Sequence, residues 1–300
     1  MGFIEVDSKK IYVEEYGKRN NRTIVYFHGG PGTSCLDFSK QAQILGEKFH
    51  VISFDQYGVL RSDAILETES FGMNDHIKLI DKMRELLGVT SWTVLGHSYG
   101  GKLACLYAYT YPQNTDALIY ECPSWNIELS TKNIASHFIP YFKSINSEIG
   151  LNNCLKLTKK EFIDKSEIFS DLQAVLSMVD DQKEQYYLHG ITFEEYQPYL
   201  QNENIPEDGW QKRGTHAQKL IEAGEIFNNY LPLLHKINKP SLLLIGKYDP
   251  VCGNDQREYF QKHSQNGTLV EFHNSGHSPH VEEPQLFAKS IIDFMDTKVL

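Results

Sequence analysis

The chain has 300 residues, 41% hydrophobic and 23% charged, ordinary proportions for a globular protein long enough to bury a substantial core. Its 29 basic and 39 acidic residues give a net charge of −10, so no basic stripe exists to neutralise phosphates and a nucleic-acid partner is not expected. Five scattered cysteines (Cys35, Cys105, Cys122, Cys154, Cys252), never in a C-x-x-C arrangement, speak for reduced thiols and against a disulfide framework or a zinc site.

The first residues, Met1 to Lys10, include Glu5 and Asp7 and form no apolar leader, and no run of about 18 apolar residues occurs. A cytoplasmic protein without a membrane partner is therefore expected. Short apolar runs follow in chain order: Ile11–Val13, Thr23–Phe27, Val51–Phe54, Thr93–Leu95, Ala117–Tyr120, Ser241–Ile245 and Thr268–Phe272. Several are almost continuously apolar, as parallel strands covered on both faces must be. Between them, Ile77, Ile80, Met83 and Leu87 recur at a helical period within Met73–Leu87. Alternating strands and helices predict a doubly wound, mostly parallel sheet of the α/β class.

The alternation fails between about Pro123 and Pro232, which predicts a core of residues 1–123 and 232–300 with an inserted helical cap, 124–231. Helices are expected there over Lys159–Phe169, Ser170–Leu188 and Thr215–Tyr230. The stretch is rich in aromatics, including Phe138, Tyr141, Phe142, Tyr196 and Tyr199. Most of these build the cap's own core, while Trp125, Trp210, Tyr186 and Tyr187 are candidates to shape a pocket above the strand ends, where open α/β sheets bind ligands.

Gly96-His97-Ser98-Tyr99-Gly100-Gly101 follows the Trp92–Leu95 run and precedes an apolar helical segment. A G-x-S-x-G sequence in this strand–turn–helix setting is a nucleophile elbow, whose glycines let two backbones pass close together. Such a serine needs a base and an orienting carboxylate later in the chain. Asp249 follows the Ser241–Ile245 strand, and His277 follows the Thr268–Phe272 strand, so all three stand at strand exits on one sheet edge. His280, His273 and His263 are rivals in the same region. Candidate oxyanion donors are the amide of Tyr99 and that of Gly30 in Phe27-His28-Gly29-Gly30-Pro31-Gly32, with Gly29 as the rival.

His-Gly-Gly-Pro-Gly at 28–32, Gly-His-Ser-Tyr-Gly-Gly at 96–101, Tyr-Asp at 248–249 and Gly-His-Ser-Pro-His at 276–280 resemble the prolyl iminopeptidase family of α/β-hydrolases. The likeness runs in order along nearly the whole chain except the cap. It implies an α/β-hydrolase fold, a mostly parallel eight-stranded sheet with a helical cap. It also implies an aminopeptidase that removes N-terminal proline from peptides without metal or cofactor, with Ser98, Asp249 and His277 catalytic and Gly29-Gly30 in the oxyanion hole.

Two departures stand out. Where the family typically reads Asp-Gln-Arg-Gly-x-Gly-x-Ser, this chain has Asp55-Gln56-Tyr57-Gly58-Val59-Leu60-Arg61-Ser62. Where some members carry a glutamate before the catalytic aspartate, this chain has Lys247. An exopeptidase must pair a desolvated ammonium with carboxylates, and the candidates are Glu121, Glu225 and Glu222. An esterase, lactonase or amidase on the same machinery is the alternative, and a ligand receptor on a hydrolase scaffold is a third reading. The expected ligand is a small peptide or ester, and a homo-oligomer is left open.

Overall fold

The structure, a computed structural model, describes residues 1–179, 183–201 and 204–299. Eight strands form one sheet: β1 (Gly2–Val6), β2 (Lys9–Tyr16), β3 (Thr23–Phe27), β4 (His50–Phe54), β5 (Trp92–His97), β6 (Thr115–Glu121), β7 (Ser241–Gly246) and β8 (Gly267–Phe272). Their spatial order is β1-β2-β4-β3-β5-β6-β7-β8. The pairs β1–β2 and β2–β4 are antiparallel and all others are parallel. The chain therefore leaves β3 for β4 on one side and returns to β5 on the other. Connections on either side of that switch go to opposite faces, and a crevice opens at the C-terminal ends of β3 and β5.

Side-chain alternation sorts each strand between two apolar layers. Val25, Phe27, Val94, Leu118, Tyr120, Leu243 and Ile245 join one cluster, while Ile24, Tyr26, Leu95, Ala117, Ile119, Leu242 and Leu244 join the other. Both layers are dry, which is why these strands read as continuous apolar runs. The helices of the core are α1 (Ser39–Gly46), α2 (Met73–Leu86), α3 (Tyr99–Thr110), α9 (Asn254–His263), α10 (Pro279–Glu282) and α11 (Pro284–Lys298). Helices α1 and α11 cover the second layer, and α2 and α3 cover the first.

Between β6 and β7 lie α4 (Ile127–Ser144), α5 (Glu148–Lys159), α6 (Glu167–Leu176), α7 (Phe193–Tyr196) and α8 (Gly209–Ala223). Their apolar faces do not form a separate core. Phe138, Phe142, Ile168 and Leu172 belong to the same cluster as Tyr120 and Phe260, and Trp125 stacks on Phe260 at 5.7 Å. Insertion and sheet are packed as one body.

The cap helices depart from their predicted spans. No helix covers Lys159–Phe169: α5 ends at Lys159, and Asp164 accepts hydrogen bonds from the Ser166 amide and hydroxyl in a local turn before α6 begins. The predicted Ser170–Leu188 helix stops at Leu176, with a short 3₁₀ turn at Lys183–Tyr187; residues 180–182 of that span lie outside the described residues. The helix predicted at Thr215–Tyr230 starts earlier and stops at Ala223, because Gly224 takes the left-handed conformation that closes a helix. Helix α4 escaped the sequence reading, since Pro140 within it is a helix breaker by rule. Among the described residues no helix is long and apolar enough to cross a membrane.

Candidate active site

Ser98 sits between β5 and α3 with φ 54° and ψ −117°, a conformation that side chains avoid. Glycines permit the turn. A Cβ on Gly100 would lie 2.0 Å from the Phe27 carbonyl oxygen, and one on Gly96 would lie 2.3 Å from that of Gly100. The Ser98 amide donates to the Glu121 carbonyl at 2.9 Å, tying the elbow to the end of β6. The serine thus stands at the N-terminus of α3, where unpaired amides and the helix dipole favour developing negative charge.

Asp249 and His277 meet as their strand exits predict. His277 Nδ1 lies 2.7 Å from Asp249 Oδ1, and the Val251 and Cys252 amides donate to the same carboxylate at 2.9 Å each. Burial opposes ionisation of Asp249, but the charge and hydrogen bond of His277 together with those amides outweigh it, and the pKa is lowered. Asp249 therefore holds the imidazole with Nδ1 protonated, leaving Nε2 as the basic edge. Cys122 Sγ stands close to this pair, all three offering ligand atoms within 4.8 Å of one another. Burial, and next the charge of Asp249, push the Cys122 thiol well above its usual range, so it is a protonated neighbour and a poor metal ligand.

The Gly29-Gly30 loop lies across the crevice from Ser98. Gly30 has φ 116°, open only to glycine, and a Cβ on Gly29 would come within 3.2 Å of Ser98 Cβ. The amides of Gly29, Gly30 and Tyr99 make no hydrogen bond to any described residue. Beneath the loop, His28 donates from Nδ1 to the Gly29 carbonyl at 3.0 Å and accepts at Nε2 from the Gln56 amide at 3.1 Å. Burial lowers the pKa of His28, consistent with this neutral tautomer. At the departure in 57–62, Leu60 takes φ 43°, a region that favours the glycine of the family pattern, and is buried with Leu36 and Val59. Arg61 pairs with Asp55 at 2.6 Å and with Glu14 at 2.8 Å.

These groups open into a cavity of about 480 Å³ between the strand ends and the helical insertion. Gly29, Gly30, Ser98, Tyr99 and His277 line it, as do Tyr187 and Trp210. Trp125 and Tyr186 are instead packing residues, the first on Phe260 and Tyr120, the second on Phe138 and Tyr141. The Tyr187 carbonyl accepts from the His277 amide at 2.7 Å, so the insertion is fastened directly to this loop. Glu282 fastens it too, accepting from the amides of Gly276, Ser278 and His189.

The three carboxylates expected to meet an ammonium are all elsewhere. Glu225 binds the Asn74 amide and side chain, clamping the insertion to α2. Glu222 is exposed and pairs with Lys219 and Gln218. Glu121 is fully buried, accepting from the amide and Nδ1 of His280 at 2.9 and 2.8 Å. Lys247 is exposed, its ammonium over the Tyr248 ring, and does not line the cavity. The rival His280 is held between Glu121 and Asp37, the latter at 3.6 Å, while His273 and His263 do not line the cavity.

Among the described residues, the carboxylates that line the cavity are Asp37 and Glu184. Asp37 is 5% exposed; its Oδ2 accepts from Tyr196 at 3.0 Å, and its Oδ1 has no partner among the described residues. Burial resists its ionisation, but His280, His97 and Tyr196 lower its pKa. Sequence reasoning had no signal for Asp37, which reads as an ordinary residue of the loop before α1.

A family model described as the alpha/beta hydrolase fold matches residues 22–146 and 151–284. A proline iminopeptidase of Saccharolobus solfataricus is 28% identical over 98% of this chain and 92% of its own length, and one from Heyndrickxia coagulans is 24% identical over 99% and 98%. A proline iminopeptidase of Xylella fastidiosa is 33% identical, but over 45% of this chain and 44% of its own. Among solved structures, a proline iminopeptidase-related protein from Thermus thermophilus superposes with a TM-score of 0.77 at 20% identity, over 99% of this chain and 97% of that one. An esterase from Exiguobacterium antarcticum superposes at 0.67 and 20% identity, covering 99% and 100%, which shows a shared fold. The chain belongs to the α/β-hydrolase fold family and resembles proline iminopeptidases along nearly its whole length.

Proposed function

We propose that this protein is a serine aminopeptidase that releases a small or cyclic first residue, proline foremost, from short peptides. The observation that carries the hydrolytic part is the 2.7 Å His277–Asp249 hydrogen bond on the sheet edge that also presents Ser98 in its left-handed turn. The names of the relatives that span nearly the whole chain support the peptide part. So does Asp37, a buried carboxylate at the cavity whose Oδ1 has no hydrogen-bond partner among the described residues.

In this reading His277 Nε2 takes the Ser98 proton as Oγ attacks the scissile carbonyl, and Asp249 stabilises the imidazolium that forms. The amides of Tyr99 and Gly30 receive the oxyanion, with Gly29 beside them. His277 then gives the proton to the leaving amine. A water deprotonated by His277 attacks the acyl-enzyme, and Ser98 regains its proton as the carboxylic acid departs. The five free, buried cysteines support a reducing, cytoplasmic setting.

The test compares a prolyl arylamide with a free amine, its N-acetyl derivative and a p-nitrophenyl ester, each with the protein and with its Ser98→Ala variant. Cleavage of the free-amine compound, lost on acetylation and in the variant, is the expected result. Ester cleavage without arylamide cleavage overturns the peptidase reading. One observation favours that second reading, an esterase, lactonase or amidase: Glu121, Glu222 and Glu225 all lie outside the cavity lining.

A further inference from the structure

Lys102 is the least expected group in the cavity. It is the fourth residue of α3, one turn beyond Ser98, and lines the same cavity while only 1% exposed. A cation in the first turn of a helix faces the positive end of the dipole. A buried ammonium also needs a carboxylate partner, and no described carboxylate lies within 4.0 Å of Nζ. Its hydrogen-bond partner is the Ile226 carbonyl at 2.6 Å, and the Tyr230 ring lies 5.7 Å away. Two of its three N–H donors are left without an acceptor among the described residues. Burial, and next the charge of Lys165, lower its pKa to about 7.

The other buried cations of the core have their counter-charges. Arg61 has Asp55 and Glu14, Arg84 has Asp81, and His280 has Glu121 and Asp37. Lys102 departs from this pattern, and it stands where a substrate would. Ile226, its carbonyl partner, lines the same cavity, whereas Asp37 belongs to a separate group with Tyr196 and His280, and the two groups share no partner among the described residues.

We infer that Lys102 is a specificity-determining residue that receives a carboxylate of the substrate, supplying the anion that the folded chain withholds from it. This rests on the proposed hydrolase reading of the cavity and deepens it. For a peptide, Asp37 would take the N-terminal ammonium and Lys102 the C-terminal carboxylate, which selects very short peptides. For an ester, the carboxylate would sit on the acyl group.

The experiment compares acids with their amides. Prolylglycine is set against prolylglycinamide for the peptide source, and the p-nitrophenyl monoester of glutaric acid against the same ester with its free acid amidated for the acyl source. Binding is read by calorimetry on the Ser98→Ala protein, with hexanoate and hexanamide as a minimal pair, so the outcome does not require turnover. The expected result is at least about tenfold tighter binding of the acid in one pair, the scale of one charge-assisted hydrogen bond, collapsing to near equality when Lys102→Met or Lys102→Gln is added. A purely structural lysine would weaken acid and amide alike. Equal binding of acid and amide by the Ser98→Ala protein overturns the inference without any lysine variant, and so does a preference that survives Lys102→Met. Failure of the wild type to cleave any peptide overturns the aminopeptidase reading alone, because the binding comparison still decides the role of Lys102.

Discussion

His97 Nε2 donates a 2.8 Å hydrogen bond to the backbone carbonyl of His277, with the two rings 4.7 Å apart. The residue next to the candidate nucleophile thus holds the main chain of the candidate base. Burial lowers the pKa of His97 to about 4, so it is a neutral donor at neutral pH. His97→Phe keeps the ring volume and loses the donor. We expect kcat to fall roughly 10- to 100-fold with KM little changed, the cost of a small displacement of the base. An unaltered kcat in steady-state assays would sink this positioning role.

Glu282 holds the same loop from its other side. Its carboxyl receives the amides of Gly276 and Ser278, and that of His189 from the insertion. Burial pushes its pKa up to about 7, although these amides favour the ionised form. Glu282→Ala leaves three amides to find water and unfastens the insertion from the loop. A loss of about 1–3 kcal/mol in urea unfolding is expected, with faster amide exchange at Gly276 and His189. Unchanged exchange at both would show that the Tyr187 carbonyl alone secures the loop.

The convergence of Ser98, Asp249 and His277 was legible because each follows an apolar strand run, and parallel strands bring their exits to one edge. Strand β1 was not legible, since it is an edge strand with mostly exposed side chains. His97 and Asp37 were missed for another reason. Their partners are His277 for His97, 180 residues away, and Tyr196 for Asp37, 159 away, distances over which no local pattern operates. Glu121 was correctly placed at a strand exit yet turned to His280, because a fully buried carboxyl takes the nearest donors. Lys102 was passed over as part of a helical segment, and its meaning emerges only with its burial.

Gly100 is set by sterics alone. A Cβ there would lie 2.0 Å from the Phe27 oxygen and 2.7 Å from the His28 oxygen, both rigid backbone. Gly29 differs: its nearest neighbours would be His97 Nδ1 at 3.1 Å and Ser98 Cβ at 3.2 Å, which small shifts relieve. Gly100→Ala should cost at least about 1–3 kcal/mol and depress activity, while Gly29→Ala should cost less stability and act mainly on kcat. Equal melting temperatures for Gly100→Ala and wild type would mean that the elbow is looser than its contacts imply.

His280 and Lys102 should oppose each other in the pH dependence of stability. Burial works against the charged form of His280, but the charges of Glu121 and Asp37 overcome it and raise the pKa to about 10 from 6.5. A raised histidine contributes stability that is complete below pH 6.5 and lost as pH climbs toward 10. Lys102 is depressed to about 7 from 10.5, so the folded chain binds fewer protons there than the unfolded one, and stability recovers as pH rises above 7. Between about pH 7.5 and 8.5 these two slopes are nearly equal and opposite. The five buried cysteines add a fall in the same window, because unfolded thiols begin to ionise there while burial holds the folded ones protonated, and that fall is common to the wild type and the variant. In Lys102→Met the His280 slope is no longer offset, and stability should fall by about 1.4 kcal/mol more than in the wild type across the same unit. A variant profile parallel to that of the wild type would mean that Lys102 keeps its ordinary proton affinity in the folded protein.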